Sequence, residues 1–309
     1  MRFTIFQDTD IGARASNQDR MGYCYSRESL LMIVADGMGG HLRGEVAAQV
    51  SMQTVAALFQ QTAQPRLPDP AEFLEQAFRA SHRELHRYRE QHGLPECPRT
   101  TIVACIIQDN TAWWAHAGDS RLYLMREGAL ATRTRDHSKV ESLLNLGLIT
   151  QEQAEIHPER NKVLNCLGSP FEPSVEVHSA CPLQAGDVVL LCSDGFWSGI
   201  DEAEMARELH LEPVMEVVPR LVRRAVQRNG AIADNTTALA LQWDSEVAVD
   251  DDIPTLSSLG LPDGAVTTTI AIGGNPGPES DNSDLTEDEI ERTISEIQDA
   301  IQRANREQR

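Results

Sequence analysis

Short apolar runs closed by an acidic residue and a glycine set the rhythm of this chain. Leu30–Ala35 is continuously apolar and ends at Asp36-Gly37. A run that short, bounded by turn residues, predicts a buried strand. Arg2–Phe6 alternates polar and apolar and predicts another. Ile102–Gln108, Val175–Ala180, Asp187–Cys192 and Ala238–Leu241 read as strands, and Thr111–Ala117 with Arg121–Arg126 as a hairpin with Asp119 at its turn. Helical periodicity fits Glu45–Gln61, Ala71–His92, Ala203–Leu209 and Val214–Asn229, the first two separated by the three prolines of Gln64–Pro70. Asp136–Gly168 is mostly polar and helical. Strands and helices that both come in runs predict an α+β fold with antiparallel sheet and external helices, rather than a doubly wound parallel sheet.

The pattern changes near residue 244. Residues 245–284 are rich in Asp, Ser, Gly, Pro and Thr and poor in large apolar residues, which predicts a disordered acidic linker; Thr267-Thr268-Thr269 within it are either phospho-acceptors or inert. Residues 285–309 predict an amphipathic helix. Thr286 and Glu289 form a capping box, Ile290, Ile294, Ile297 and Ile301 make one stripe, and Arg303, Arg306 and Arg309 sit in the last turn. Such a helix docks on its own domain, on a copy of itself or on a partner; the sequence does not choose.

Charge adds to this. The 309 residues carry 27 Lys plus Arg against 47 Asp plus Glu, a net charge of −20. Residues 245–309 hold 15 acids and 4 bases, over half of the excess. Strong acidity argues against nucleic acid or an anionic membrane as partner. Six scattered cysteines show no zinc-like spacing. The chain has no signal-like start and no apolar run of about 18 residues, and a reduced cytoplasm is the expected location. His82 and His86 lie one turn apart but without a third ligand nearby, so a solvated helix face is expected.

The chemistry sits at the strand edges. Asp36, Asp119, Asp194 and Asp234 each border an apolar run, far apart in sequence. Carboxylates so placed suit a two-metal site with oxygen ligands.

In order, the chain reads Arg14-Ala15-Ser16-Asn17-Gln18-Asp19, Asp36-Gly37-Met38-Gly39-Gly40-His41, Thr100-Thr101, Gly118-Asp119-Ser120-Arg121, Asp136-His137-Ser138, Ser193-Asp194-Gly195 and Asp234-Asn235-Thr236-Thr237. That series resembles the metal-dependent Ser/Thr protein phosphatases of the PPM, or type 2C, family in their bacterial form, over about residues 1–244. The resemblance implies an α-β-β-α four-layer fold, an antiparallel β-sandwich flanked by helices with the metals at one end. It implies a catalytic domain over 1–244 with a flap at about 136–168, between the motifs Asp136-His137-Ser138 and His157-Pro158-Glu159-Arg160-Asn161. It implies hydrolysis of phosphoserine and phosphothreonine monoesters by a water bridging two Mn²⁺ or Mg²⁺ ions. In that scheme Asp36 bridges the metals, helped by the Gly37 carbonyl. Asp194 and Asp234 complete one shell, Asp119 and Asp194 share a third, weaker ion, and Asp19 hydrogen-bonds water held by the metals. Arg14 clamps phosphate, His41 is a candidate general acid, and Asn235 orients Asp234. Phosphoprotein substrates and a cognate Ser/Thr kinase are the implied partners. The alternative is a pseudophosphatase or regulatory binding module that acts through the tail. Arg99 stands where the family usually has Gly, which bears on the local turn and adds a second candidate phosphate-binding cation.

Overall fold

A computed structural model describes residues 1–38, 43–244, 256–262 and 265–272. Two six-stranded antiparallel sheets stack face to face. The first has the order β11-β1-β10-β9-β6-β7 and the second β12-β2-β3-β4-β5-β8. The strands are β1 Arg2–Asp10, β2 Asp19–Tyr25, β3 Ser29–Asp36, β4 Ile102–Gln108, β5 Thr111–Ala117, β6 Arg121–Arg126, β7 Ala129–Arg133, β8 Glu176–Pro182, β9 Val188–Cys192, β10 Thr236–Asp244, β11 Leu256–Ser257 and β12 Thr267–Ile272. Helices α1 Gly44–Thr62 and α2 Pro70–Gln91 cover the outer face of the second sheet. Helices α5 Asp194–Trp197, α6 Glu202–Leu211 and α7 Val214–Asn229 cover the first. The predicted α+β, four-layer arrangement is present.

Strand β3 shows why the apolar runs are continuous. Leu30, Met32 and Val34 enter the core between the sheets, with Trp114, Leu191 and Leu239. Leu31, Ile33 and Ala35 are equally buried on the opposite face, under α1. A strand covered on both faces needs apolar residues at every position. Strand β2, DRMGYCY, lacks that signature and carries Gly22 in its middle, yet it pairs with β3 over its whole length.

Two expectations are corrected. Strands β5 and β6 do not form a hairpin: β5 pairs with β4 and β8, and β6 with β7 and β9 in the other sheet. The hairpin lies one connection earlier, at Asp109-Asn110, where both residues adopt positive φ (50° and 55°) as a tight two-residue turn requires. Asp119 therefore sits in a crossover between the sheets, at the end of the sandwich. Second, part of the expected linker is ordered structure. Strand β11 pairs with β1 and β12 pairs with β2, so both sheets gain an edge strand from beyond residue 244, and the compact unit runs Met1–Gly273. The predicted helix over 285–309 lies outside the described residues.

The 136–168 segment holds two short helices, α3 Lys139–Asn145 and α4 Gln151–Glu155, the second opened by a capping box of Thr150 and Gln153. Among the described residues no helix is long and apolar enough to cross a membrane.

Candidate metal centre

Five connections end at the same edge of the sandwich, and each delivers one aspartate. Asp36 is the last residue of β3, and Asp19, the first of β2, stands directly opposite it. Cross-strand partners project on one face, so the two carboxylates share a side. Asp119 follows β5, Asp194 opens α5 after β9, and Asp234 precedes β10.

The backbone around Asp36 is fixed on several sides. Its carbonyl accepts from the Thr101 amide at 2.9 Å and from Thr100 Oγ1 at 2.8 Å, which gives Thr100-Thr101 a physical role. The Gly37 amide donates to the Gln18 carbonyl at 3.2 Å. A Cβ on Gly37 would lie 2.2 Å from the Gly44 carbonyl oxygen, so only glycine admits this approach to the start of α1. Arg99 leaves the turn intact: its carbonyl accepts from the Met38 amide at 3.0 Å.

Asp19 is 2 % exposed. Its Oδ2 accepts from Ser193 Oγ at 2.6 Å, whereas its buried Oδ1 has no hydrogen-bond partner. Burial pushes the Asp19 carboxyl up to about 6, with repulsion from Asp234 adding to it. Asp119 is pushed up to about 7, first by burial and then by Asp136. Asp36 and Asp194 are driven well above the carboxylate range by burial and by repulsion from their neighbours. Carboxylates packed this closely cannot all ionise without a compensating cation.

Arg14 supplies part of that charge. Its Nη2 donates to Asp234 Oδ2 at 2.5 Å, while just over half of the side chain remains exposed. That bond, with the fields of Asp234, Asp194 and Asp36, raises the guanidinium pKa. Asn235 meets Asp234 through its backbone and the Arg14 loop through its side chain. Its backbone amide donates to Asp234 Oδ1 at 2.8 Å. Its side chain instead ties down the loop that carries Arg14, donating to the Ile11 and Ser16 carbonyls at 2.9 and 3.0 Å and accepting from the Gln18 amide at 2.8 Å. His41 lies outside the described residues.

The donor set fits hard divalent cations. It is all oxygen, buried at Asp19 and Asp119 and partly buried at Asp36, Asp194 and Asp234, overloaded with negative charge, and it contains an orphaned carboxylate oxygen. A second cluster brings His116, His137 and Glu176 within 4.8 Å of one another. Its bonding is structural. The two rings stack nearly parallel at 4.3 Å, so their lone pairs do not converge. His116 Nε2 faces the Arg135 carbonyl at 2.6 Å. His137 Nδ1 accepts from the Gly118 amide at 3.2 Å, which leaves Nε2 to donate to Glu176 at 3.3 Å.

Two groups of residues matter more than sequence patterns suggest. Trp197, whose apolar bulk fits a core position, donates its indole N–H to the Asp119 carbonyl at 2.9 Å. His82 and His86 do not form a solvated face. His82 is 6 % exposed, packs edge-on against His86 and accepts from the Gly168 amide at 3.2 Å. The signal was available in the apolar residues flanking His82 on its helix, but a histidine pair one turn apart reads equally well as surface.

Residues 7–234 match the protein phosphatase 2C family, and the chain belongs to it. It is 35% identical over 240 residues to the serine/threonine protein phosphatase PstP of Mycobacterium tuberculosis, covering 77% of this chain and 44% of that protein. The chain thus spans less than half the length of that relative. The serine/threonine phosphatase stp of Listeria monocytogenes is 33% identical over 241 residues, covering 76% of this chain and 94% of its own. The solved catalytic domain of PstP in complex with two manganese ions superposes with a TM-score of 0.66 at 31% identity, covering 79% of this chain and 100% of that one.

Proposed function

We propose that this chain is a metal-dependent protein phosphatase that hydrolyses phosphoserine and phosphothreonine monoesters. The observation that carries this reading is the convergence of Asp19, Asp36, Asp119, Asp194 and Asp234 at one sandwich edge, with buried Asp19 Oδ1 unsatisfied. Asp36, the Gly37 carbonyl, Asp194 and Asp234 would hold two Mn²⁺ or Mg²⁺ ions, and Asp119 with Asp194 a third. When bound, such ions supply Lewis-acid polarisation of the phosphoryl oxygens and an ionisable water for in-line attack.

The protein's own residues do the rest. Arg14 presents a planar guanidinium over the carboxylates, suited to two phosphoryl oxygens at once and charged at any working pH. Asn235 fixes the loop from which Arg14 reaches. Ser193 and the strand pairing hold Asp19 where it can accept hydrogen bonds from water. His41 donates the proton to the leaving Ser or Thr oxygen. The substrates are phosphoproteins made by a Ser/Thr kinase that this enzyme opposes. A reduced, cytoplasmic setting is supported by six cysteines that are all unpaired.

The test is hydrolysis of p-nitrophenyl phosphate and of a phosphothreonine peptide with Mn²⁺, with EDTA, and by Asp194→Ala. Turnover that needs Mn²⁺ and is abolished by both EDTA and the substitution is expected. Folded wild-type protein inert on both substrates would favour the binding-module alternative.

A further inference from the structure

Helix α5 is four residues long, and its two ends touch two different carboxylate loops. Asp194 is its first residue. Trp197, its last, crosses to the Asp119 loop and donates its indole N–H to the Asp119 carbonyl at 2.9 Å. Asp119 is also the foremost charged neighbour opposing ionisation of Asp194. A buried carboxylate and a partly buried one that repel each other are thus joined by one rigid aromatic link.

That link is itself held in place. The Arg121 guanidinium carbon lies 3.7 Å from the centre of the Trp197 ring. Arg121 in turn grips Asp136 with two hydrogen bonds of 2.8 Å and Tyr123 Oη with a third of 3.0 Å. Arg121 and Asp136 are both largely buried, with side chains 13 % and 7 % exposed. A cation stacked on an indole and clamped by a bidentate carboxylate leaves the ring little freedom. On the other side of Asp119, Ser120 Oγ bonds Thr101 Oγ1 at 2.6 Å, and Thr101 carries the Asp36 carbonyl.

We propose that Trp197 is a positioning residue that holds Asp119 against Asp194 and thereby sets the affinity of the divalent cation those two carboxylates share. This rests on the metal-dependent reading above. Ligand distance is fixed by the protein, not by the ion, so a cation arriving there does not have to draw two repelling loops together. Outer residues that orient metal ligands typically change affinity by about 10- to 100-fold when removed.

The test is calorimetric titration of Mn²⁺ into metal-stripped, full-length wild type, Trp197→Phe and Asp119→Asn. Phenylalanine keeps an aromatic ring for Arg121 to stack on and removes the N–H donor together with part of the indole's packing area, which the metal-free melting temperature reads separately. Asp119→Asn identifies which binding step belongs to the Asp119–Asp194 pair. The expected result is that Trp197→Phe weakens that same step by about tenfold and leaves the tighter binding unchanged, with no fall in the metal-free melting temperature. An independent readout needs no Trp197 variant. One of the four indole N–H resonances must shift during the weak step of a Mg²⁺ titration in wild type, and must stay still in Asp119→Asn. Unaltered Mn²⁺ binding by Trp197→Phe, equal weakening of every step together with a lower melting temperature, or indole resonances that never respond would each overturn the proposal. Wild type that binds no Mn²⁺ at all would instead overturn the metal-dependent reading on which it rests.

Discussion

Asp19 and Asp36 are directly opposed residues of β2 and β3, so a buried carboxylate and a partly buried one share one face at the end of the sandwich. Neither position is chosen for stability. The neutral forms are favoured by burial, and each added negative charge raises its neighbours further.

A pH dependence follows for the metal-free protein. Asp19 has an ordinary value of 3.8 and is raised to about 6, and Asp119 is raised to about 7. The folded state therefore binds more protons than the unfolded chain between roughly pH 4 and 7. The stability tied to those protons is complete below the unfolded value and is lost as pH rises through the folded values. In EDTA the melting temperature should fall as pH goes from about 4.5 to 7.5, and saturating Mn²⁺ should reverse that slope. Asp19→Asn should raise the metal-free melting temperature at pH 7.5 while weakening Mn²⁺ binding. A flat profile in EDTA would show that these carboxylates are already compensated by something else.

Arg14 has a different role from the aspartates, since it bonds Asp234 yet remains half exposed. Arg14→Ala should cost kcat/KM on the order of 10²-fold, as loss of one aimed donor typically does, with Mn²⁺ affinity little changed. Arg14→Lys should recover only part of the loss, because an ammonium cannot grip two oxygens in one plane. Steady-state kinetics on a phosphothreonine peptide decide this. Full activity in Arg14→Ala would remove it from phosphate binding.

Local pattern is enough for a strand covered on both faces and for a helix with one apolar stripe. Ile102–Gln108 and Val214–Asn229 appear with the predicted bounds, because their apolar residues answer to one simple geometry each. β2 was illegible because its neighbours β3 and β12, not its own composition, make it a strand. The short β7, with exposed Ala129, carries no burial signal either. Five aspartates could be picked from the sequence by motif, but what fixes them could not. The Asp119 crossover looked like a hairpin because sequence proximity says nothing about which sheet the next strand joins. The role of Trp197 is hidden because an indole's apolar bulk is visible in sequence and its donor's target is not.

His82 offers a test of how the 136–168 segment is anchored. Its ring is buried, and burial, with neighbouring His86 adding to it, lowers its value from 6.5 to about 4. It stays neutral, so that Nδ1 can accept from the Gly168 amide. Below pH 6.5 the unfolded chain takes up a proton that the folded state refuses, so this contribution is present above that value and is lost as pH falls toward 4. With Mn²⁺ present, His82→Gln should flatten the loss of melting temperature between pH 6.5 and 4.5 relative to wild type, although it lowers the value at pH 7.5. Parallel profiles would mean that His82 is freely protonated in the folded state.

The segment beyond residue 244 closes both sheets. Leu256 and Ser257 pair with Phe3 and Arg2 of β1, and Thr267–Ile272 pairs with β2 from Tyr25 to Arg20. Between them, Ser258 Oγ accepts from the N-terminal amine at 3.1 Å and donates to the Arg27 carbonyl at 2.7 Å. Gln60 Nε2 on α1 reaches Thr268 Oγ1 at 2.6 Å. The strap ends at Ile272 opposite Arg20, the residue after Asp19. Ending the chain at Asp244 would strip an edge strand from each sheet and leave β1 and β2 with unpaired backbone donors and acceptors, a state prone to association. The shortened protein should melt about 5 °C lower, the effect of roughly 2 kcal/mol in a domain of this size, and should self-associate at concentrations where the full chain does not. Ending it at Gly273 should do neither. Scanning calorimetry and sedimentation of the two truncations against the full chain make the comparison, and equal melting temperatures for both would show that the strap adds nothing to the fold.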